Sequence, residues 1–479
     1  MSVHETDIVV IGMGPGGEEV AGRLAEAGLH VVGVEAKLVG GECPYWGCVP
    51  SKMMIRAANL LAETRRVPGM AGTSTVDPDW SPVARRIRTE ATDTWDDKVA
   101  VDRFTGKGGH FVRGRGRITA PAEVTVSPVH AATTADGNPP SGRGEPSSAV
   151  RDEVYRARRG IVVATGTEPA APPIDGLRDT PYWTSRAAIE TEQVPQSLIV
   201  LGGGAIGAEL AQVFARFGAQ VTVLEAMDRL LPPEEPEAGR MLAEVFTKEG
   251  IAVRTGAKVT RVDHDGARFT LAVQGAESLV AERLLVATGR RVDLAALGMG
   301  AIGVDESAKA MPVDDRMRVT EGVWALGDVT GKGPFTHVSM YHAAIVVRDI
   351  LGTDGPPADY RAVPRVTFTD PEIGGVGLTE AQARDQGLPV RTGLAQLPSS
   401  ARGWIHKAGN DGFIKLVEDS ERGVLVGATS AGPCGGEVLG ALSVAVYGEV
   451  PTERLRHMIF AYPTFHRAIE DALRDLTTR

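Results

Sequence analysis

The stretch Asp7-Ile8-Val9-Val10-Ile11-Gly12-Met13-Gly14-Pro15-Gly16-Gly17 begins as an apolar strand and ends as a glycine-rich turn. The residues that follow predict a helix over 18–28 and a second strand over 30–34, which ends at Glu35. Strand, glycine-rich turn, helix, strand and acid, in this order, are the context of a dinucleotide-binding fingerprint. The glycines would let the backbone approach a pyrophosphate, and the acid would hydrogen-bond a ribose. The residues concerned are Gly12, Gly14, Gly17 and Glu35.

The same unit returns between residues 197 and 225. A strand over 197–201 leads into the turn Gly202-Gly203-Gly204-Ala205-Ile206-Gly207, and a helix over 208–218 and a strand over 221–224 end at Glu225. The first glycine and the acid are 23 positions apart in both copies. Two such units predict two bound dinucleotides, and a duplicated fold with one inactive site is the alternative. The candidate residues of the second site are Gly202, Gly204, Gly207 and Glu225.

Three other strands end in small or acidic residues. The segments 161–166 and 284–289 are apolar and end in Ala-Thr-Gly, and a strand over 323–326 precedes Gly327-Asp328. Open α/β sheets bind ligands at the carboxyl ends of their strands. We therefore expect further cofactor contacts at Thr165, Gly166, Gly289 and Asp328.

Two of the chain's three cysteines lie in Gly40-Gly41-Glu42-Cys43-Pro44-Tyr45-Trp46-Gly47-Cys48-Val49-Pro50-Ser51-Lys52, just before a predicted helix over 53–65. Such a pair can close a small disulfide loop, and a helix N-terminus favours the thiolate when the pair is reduced. Three cysteines form no disulfide framework, and no second pair of ligands accompanies them for zinc. The stretch predicts a redox site and no metal site. Cys434 is expected to be a buried small residue.

The length and composition of the chain limit its number of domains, its partners and its location. The 479 residues predict two to four domains. A net charge of −10 and a pI near 5.6 argue against nucleic acid or an acidic membrane surface as a partner. The sequence contains no run of 18 apolar residues, so no membrane span is predicted. Residues 1–6 are too few and too polar for a signal peptide, so we expect a cytoplasmic protein.

We predict an α/β fold with two Rossmann-like dinucleotide-binding domains, the second inserted in the first, and an α+β C-terminal domain. The expected bounds are 1–168 and 291–355 for the first domain, 169–290 for the second and 356–479 for the third. Residues 131–148, rich in Gly, Pro, Ser and Thr, predict an exposed loop.

Together these motifs resemble the pyridine nucleotide–disulfide oxidoreductases, a family that includes dihydrolipoamide dehydrogenase, glutathione and mycothione reductases, and mercuric reductase. The resemblance covers nearly the whole chain. It includes Pro364-Arg365-Val366-Thr367-Phe368-Thr369-Asp370-Pro371-Glu372, which looks like the start of the family's dimerisation domain. The resemblance implies a homodimer with FAD at the first fingerprint, where Gly41 and Asp328 are further contacts, and NAD(P)H at the second.

The resemblance also implies an electron path. Hydride would pass from NAD(P)H to FAD, and the Cys43–Cys48 disulfide would then open, with Cys48 facing the flavin and Cys43 attacking the acceptor. Lys52 would lie beside the flavin and pair with Glu209. Glu225 favours NADH over NADPH, because its carboxylate would repel a 2′-phosphate.

One C-terminal stretch departs from the family pattern. Thiol-handling members carry a His-Pro-Thr motif and a Glu five residues after the His, a pair that shuttles protons from the partner subunit. Here Tyr462 and Arg467 stand in these two places. Tyrosine, with an ordinary pKa of about 10, is a poor base at neutral pH, and arginine accepts no proton. A helix is predicted over 463–476, and His466 is expected on another part of its face than a proton shuttle at position 462 would need.

This departure predicts a non-standard small-molecule acceptor, either a quinone-like compound or an unusual disulfide, with Tyr462 as proton donor or substrate contact. One alternative is a dihydrolipoamide dehydrogenase, the component of a 2-oxo acid dehydrogenase complex. Another is a mercuric reductase, although residues 475–479 lack that enzyme's C-terminal cysteine pair. A non-enzymatic flavoprotein scaffold is the remaining alternative.

Overall fold

A computed structural model describes residues 2–129 and 152–476, so the loop predicted at 131–148 lies outside the described residues. The strands are β1 (Ser2–Ile11), β2 (Val31–Glu35), β3 (His110–Arg113), β4 (Arg115–Ala120), β5 (Glu123–Ser127), β6 (Glu153–Val163), β7 (Glu168–Pro169), β8 (Ser197–Leu201), β9 (Gln220–Leu224), β10 (Ala252–Arg254), β11 (Val259–His264), β12 (Phe269–Val273), β13 (Leu279–Ala281), β14 (Arg283–Val286), β15 (Arg290–Arg291), β16 (Arg318–Thr320), β17 (Val323–Ala325), β18 (Pro364–Thr367), β19 (Glu372–Gly377), β20 (Val390–Gln396), β21 (Phe413–Asp419) and β22 (Val424–Gly432).

The helices are α1 (Pro15–Glu26), α2 (Glu42–Tyr45), α3 (Cys48–Arg66), α4 (Ser81–Arg86), α5 (Lys98–Gly106), α6 (Ser185–Glu190), α7 (Ala205–Arg216), α8 (Pro236–Lys248), α9 (Leu294–Leu297), α10 (Thr336–Leu351), α11 (Glu380–Asp385), α12 (Ala401–His406), α13 (Gly435–Tyr447), α14 (Thr452–Arg456) and α15 (Ala468–Asp475). Within residues 2–129 and 152–476, no helix is both long and apolar enough to cross a membrane.

The first unit comprises residues 1–49, 91–168 and 290–359. Its sheet has the order β16-β17-β6-β1-β2-β3, with β5 beside β6 and β4 beside β5. β1 pairs in parallel with both β2 and β6, so that Val9 lies opposite Val32 and Ile161, and all three are buried. Residues 8–11 of β1 and 161–163 of β6 are apolar and buried, because central parallel strands are covered on both faces of the sheet.

The parallel pairing decides where the candidate residues of this unit lie. β1, β2, β6 and β17 run in the same direction. Their carboxyl ends therefore meet at one edge of the sheet. This edge carries the turn at 12–17, Glu35, the Ala-Thr-Gly segment at 164–166 and Asp328.

The second unit comprises residues 50–90, 169–289 and 360–479. It contains a parallel sheet of order β10-β9-β8-β14, an antiparallel sheet of β11, β12 and β13, and an antiparallel sheet of order β18-β19-β22-β21-β20. Helices α13 and α15 cover the last sheet, and Leu416, Leu439 and Leu473 are among the buried residues of the shared core.

The predicted fold class is confirmed, with local differences. Helix α3 begins at Cys48 rather than at residue 53, since Pro50 falls in its first turn, where proline removes no helical hydrogen bond. The helix predicted from residue 463 begins only at Ala468, after a 3₁₀ turn at Phe465–Arg467. The expectation of a buried Cys434 is wrong. This residue is exposed because it is the N-cap of α13, outside the core-facing part of the helix. The domain bounds remain predictions.

Candidate active site

The two glycine-rich turns share one backbone geometry. Gly12 and Gly202 have φ angles of +92° and +113°, in the left-handed region that favours glycine. A Cβ atom on them would lie 2.6 Å from the carbonyl oxygen of Ala164 and 2.4 Å from that of Ala287, which begin the two Ala-Thr-Gly segments. Each tight turn is therefore packed against a neighbouring strand end and requires glycine.

The other fingerprint glycines serve two purposes. A Cβ on Gly17 or Gly207 would lie 2.0 Å from the carbonyl oxygen of the turn's first glycine, so these positions let the helix pack on the turn. Among the residues that the structure describes, a Cβ on Gly204 would meet nothing within 4 Å, and on Gly14 it would meet only the Cα of Gly41 at 3.9 Å. Helices α1 and α7 begin one residue later, and no described side chain caps either N-terminus. This open space beside uncapped N–H groups fits a pyrophosphate in both units.

The acids at the ends of β2 and β9 are held in the same way. Glu35 accepts hydrogen bonds from the N–H groups of Met13 (2.8 Å) and Lys37 (2.7 Å). Glu225 accepts from the two equivalent N–H groups, at 2.7 Å and 2.8 Å. Burial raises the pKa of Glu35. Both carboxylates are thus fixed beside their turns, with lone pairs left for ribose hydroxyls.

The cysteine pair lies where two helices begin. Cys43 is in the single turn α2, and Cys48 is the first residue of α3. The Sγ atom of Cys48 is 3.5 Å from Oγ1 of Thr336, the first residue of α10. Cys43 is partly buried, whereas Cys48 is exposed.

This arrangement distinguishes the two thiols electrostatically. A hydrogen bond with Cys48 and burial raise the pKa of Cys43, and the hydroxyl of Thr336 offsets part of this increase. The N-termini of α3 and α10 meet at Cys48 and favour negative charge there. The geometry therefore favours a thiolate at Cys48 and a thiol at Cys43. Thr336 was not predicted, and its only sequence signal is its position at the start of a helical pattern after Asp328.

A second group of side chains connects the cysteine turn with Asp328. Arg290 donates from Nε to Oγ1 of Thr167 (2.7 Å) and from Nη2 to its carbonyl oxygen (2.6 Å). It also forms an ion pair with Glu42 at 2.9 Å. Thr167 in turn donates to Oδ2 of Asp328 at 3.2 Å. Burial raises the pKa of Asp328, and the nearby Arg290 limits this increase.

In the second unit, Lys52 and Glu209 form an ion pair of 2.7 Å. Glu209 is buried, and its other oxygen accepts the N–H of Phe368 at 2.8 Å. The Nζ atom of Lys52 lies 4.5 Å from the centre of the Phe368 ring. The lysine is therefore held from two sides. Phe368 was not predicted as part of this group, since nothing in its sequence context indicates it.

Tyr462 lies on the surface of the C-terminal part of this unit, 69% exposed. The guanidinium of Arg467 lies 5.5 Å from its ring centre and pairs with Glu470 at 2.8 Å. His466 instead packs beside Phe460, with ring centres 6.3 Å apart. The tyrosine therefore has a cation rather than a carboxylate as its neighbour.

Residues 6–344 match the family described as pyridine nucleotide-disulphide oxidoreductase, and residues 363–473 match the dimerisation domain of the same family. The chain belongs to the pyridine nucleotide-disulphide oxidoreductases. It is 33% identical over 467 residues to a mercuric reductase from Shewanella putrefaciens, covering 95% of this chain and 78% of the relative. It is also 33% identical over 479 residues to a dihydrolipoyl dehydrogenase from Chlorobaculum tepidum, covering 98% and 96%.

Among solved structures, this oxidoreductase resembles the Cu(II) complex of RclA, an HOCl-induced flavoprotein disulfide reductase from Escherichia coli. The TM-score is 0.82 at 25% identity, and the match covers 98% of this chain and 99% of the other. Family membership makes the protein an FAD-dependent enzyme that uses NAD(P)H, so the scaffold alternative is set aside. The paired open turns fit these two dinucleotides. When bound, FAD carries two electrons between NAD(P)H and its acceptor.

Proposed function

We propose that this enzyme oxidises NADH and passes the electrons through FAD to a non-standard acceptor, either directly to a quinone-like compound or through the Cys43–Cys48 disulfide to an unusual disulfide. The observation that carries the proposal is the pair Tyr462 and Arg467. Phenol and guanidinium groups are both poor proton acceptors at neutral pH, and here they lie side by side. This pair would therefore deprotonate a dithiol substrate poorly.

Two sets of residues would hold the dinucleotides. For FAD we propose Gly12, Gly14, Gly17, Glu35, Gly41, Lys52, Thr165, Gly166 and Asp328. For the nicotinamide nucleotide we propose Gly202, Gly204, Gly207, Glu225 and Gly289. NADH is preferred because Glu225 stands at the end of β9. Arg229 supports this preference, since it donates to the carbonyl oxygen of Pro232 (2.9 Å) and pairs with Asp228 (3.2 Å) instead of offering a free cation.

The reduced cysteine pair would act on a disulfide in two exchanges. The Cys43 sulfur would attack one substrate sulfur and form a mixed disulfide, while its thiol proton passes to the departing sulfur, which leaves as the first thiol. The Cys48 thiolate would then attack the Sγ atom of Cys43, close the enzyme disulfide and release the second thiol. Two electrons leave the enzyme. The first departing thiolate takes the proton of Cys43, and the second takes a proton from Tyr462, which regains one from water. A quinone would take its electrons without a covalent bond to Cys43.

A soft metal ion is the second candidate acceptor. Two neighbouring thiols are ligands that soft ions prefer, and Cys48 is exposed. One relative is a mercuric reductase, and RclA was solved with Cu(II). A dihydrolipoamide dehydrogenase serving a 2-oxo acid complex is the third candidate, supported by relatives of that name.

An acceptor screen with NADH on the wild type and on Cys43→Ser tests the proposal. The acceptors are a quinone, small disulfides, lipoamide, Hg(II) and Cu(II), with dihydrolipoamide and NAD⁺ for the reverse direction. Reduction of a quinone should survive the substitution, whereas reduction of a disulfide or a metal ion should not. Rapid turnover of dihydrolipoamide by the wild type would contradict the importance of Tyr462 and Arg467.

We further propose that the enzyme is a cytoplasmic homodimer. The dimerisation-domain match supports the dimer. Large apolar side chains in the same region are exposed in the single chain and would be covered by a second copy: Trp404, Ile405, Val444, Tyr447, Met458, Ile459 and Tyr462. The cytoplasmic location rests on cysteine usage, since a redox pair suits a reducing compartment.

A further inference from the structure

Glu42 directly precedes Cys43 and is the first residue of α2. A single helical turn has little stability of its own, because helix nucleation is unfavourable. The orientation of Cys43 therefore depends on external contacts of this turn. One such contact is the ion pair of Glu42 with Arg290, whose side chains are 28% and 20% exposed.

The other side of Arg290 is bound to the segment that follows β6. Its Nε and Nη2 atoms hold the side chain and the carbonyl oxygen of Thr167, and the Thr167 hydroxyl donates to Asp328. A planar guanidinium with several donors is suited to join three groups in a fixed geometry. One residue thus connects the cysteine turn with the sheet edge that carries Asp328.

The charges in this group depend on one another. Burial raises the pKa of Asp328, Arg290 lowers it, and Glu42 raises it again. Glu42 and Asp328 are therefore close enough to repel each other. Arg290 forms an ion pair with Glu42 and attracts Asp328 electrostatically. Without Arg290, two carboxylates would share a poorly hydrated space.

We propose that Arg290 is a positioning residue that couples the Cys43 turn to the FAD-binding edge, holding Glu42 on one side and orienting Asp328 through Thr167 on the other. This inference rests on the proposed contact between Asp328 and FAD. It assigns Glu42 a role in placing the redox pair.

Arg290→Gln tests the coupling with two measurements on the FAD enzyme. The dissociation constant for FAD, measured by flavin fluorescence, should rise about 10- to 100-fold, since charge-assisted hydrogen bonds are lost. In the dithiol form, alkylation of Cys43 by iodoacetamide should become several-fold faster relative to that of Cys434, an exposed thiol in the same molecule. Glu42→Gln should accelerate Cys43 alkylation with a smaller effect on FAD.

The double variant Glu42→Gln with Arg290→Gln should bind FAD more tightly than Arg290→Gln alone, because one of the two repelling charges is gone. Arg156→Gln is the matched control, since this arginine forms an exposed pair with Glu123 at 3.2 Å, and it should match the wild type. FAD affinity and Cys43 alkylation both within twofold of wild type in Arg290→Gln would overturn the proposal.

If Arg290→Gln does not fold, Glu42→Gln decides alone, and unchanged Cys43 alkylation overturns the coupling. These measurements need neither NADH nor an acceptor. Failure of the inference is therefore distinguishable from failure of the proposed function.

Discussion

Lys415 allows the sharpest prediction about the stability of the second unit. It lies on β21 with 6% of its side chain exposed and contacts three carboxylates: Glu235 at 2.9 Å, Glu380 at 3.0 Å and Glu237 at 3.1 Å. Burial opposes its charge, but hydrogen bonds to Glu235 and Glu380 outweigh this and raise its pKa. The cluster joins the C-terminal sheet to α8, the helix that follows the second fingerprint region.

Lys415→Met keeps most of the side-chain volume and removes the cation. Glu235, only 2% exposed, would then lack a compensating charge. Breaking a buried ion pair in this way costs about 3–5 kcal/mol. For a large domain this corresponds to a fall in melting temperature on the order of 10 °C. Lys248→Met is the matched control, because Lys248 pairs with Asp411 at 2.9 Å with side chains 63% and 37% exposed, and such pairs contribute less than about 1 kcal/mol.

Scanning calorimetry at one scan rate compares the three proteins, since unfolding of a large flavoprotein is expected to be irreversible. The pH dependence supplies a second readout. Burial opposes ionisation of Glu380, yet hydrogen bonds from Lys415 and Arg384 lower its pKa below 4.5. A lowered folded pKa gives stability that is present above the unfolded value and is lost as the pH falls through the folded value.

The difference between wild type and Lys415→Met should therefore be largest near neutral pH and shrink below about pH 4.5. A Lys415→Met protein that melts within 2 °C of Lys248→Met at neutral pH, taken as about 1 kcal/mol, would refute the assignment of this cluster as a stabilising element.

Three further predictions concern the site. Thr336→Val should move the pH profile of Cys43 alkylation to higher pH, because the hydroxyl lowers the pKa of that thiol. Thr336→Ser should restore the profile, and an unshifted valine variant contradicts the contact. Glu225→Gln should raise the NADPH/NADH ratio of kcat/KM roughly tenfold, as expected for removal of one repelling charge, and an unchanged ratio refutes its role in cofactor choice. Burial lowers the pKa of His342 to about 4, and its neutral ring accepts the N–H of Gly327 at 3.1 Å. Its contribution to stability should be complete above about pH 6.5 and decline towards pH 4. His342→Gln should flatten this part of a melting-temperature profile, and an equally steep profile argues against the assignment.

The sequence alone determined the features that depend on local spacing. In each fingerprint, a Cβ at some glycine positions would clash with the backbone of the same strand–turn–helix unit. Steric constraints therefore require glycine within a short stretch of sequence. The cysteine pair lies at the start of its helix. Tyr462 and Arg467 stand where the family pattern has a His and a Glu five residues apart. The strand β19 was not predicted, since the glycines in Glu372–Gly377 weaken a strand pattern, and its pairing with β18 and β22 defines it.

The tertiary structure decided which distant residues complete the site. Thr336 contacts Cys48 from 288 positions away, and Phe368 contacts Glu209 from 159. The link from Arg290 through Thr167 to Asp328 likewise joins separate strand ends. No local pattern marks these residues, because their partners are selected by the register of the sheet and the packing of helices on it. Such contacts arise from the sum of many weak interactions over the whole unit, so they become visible only when the chain is folded.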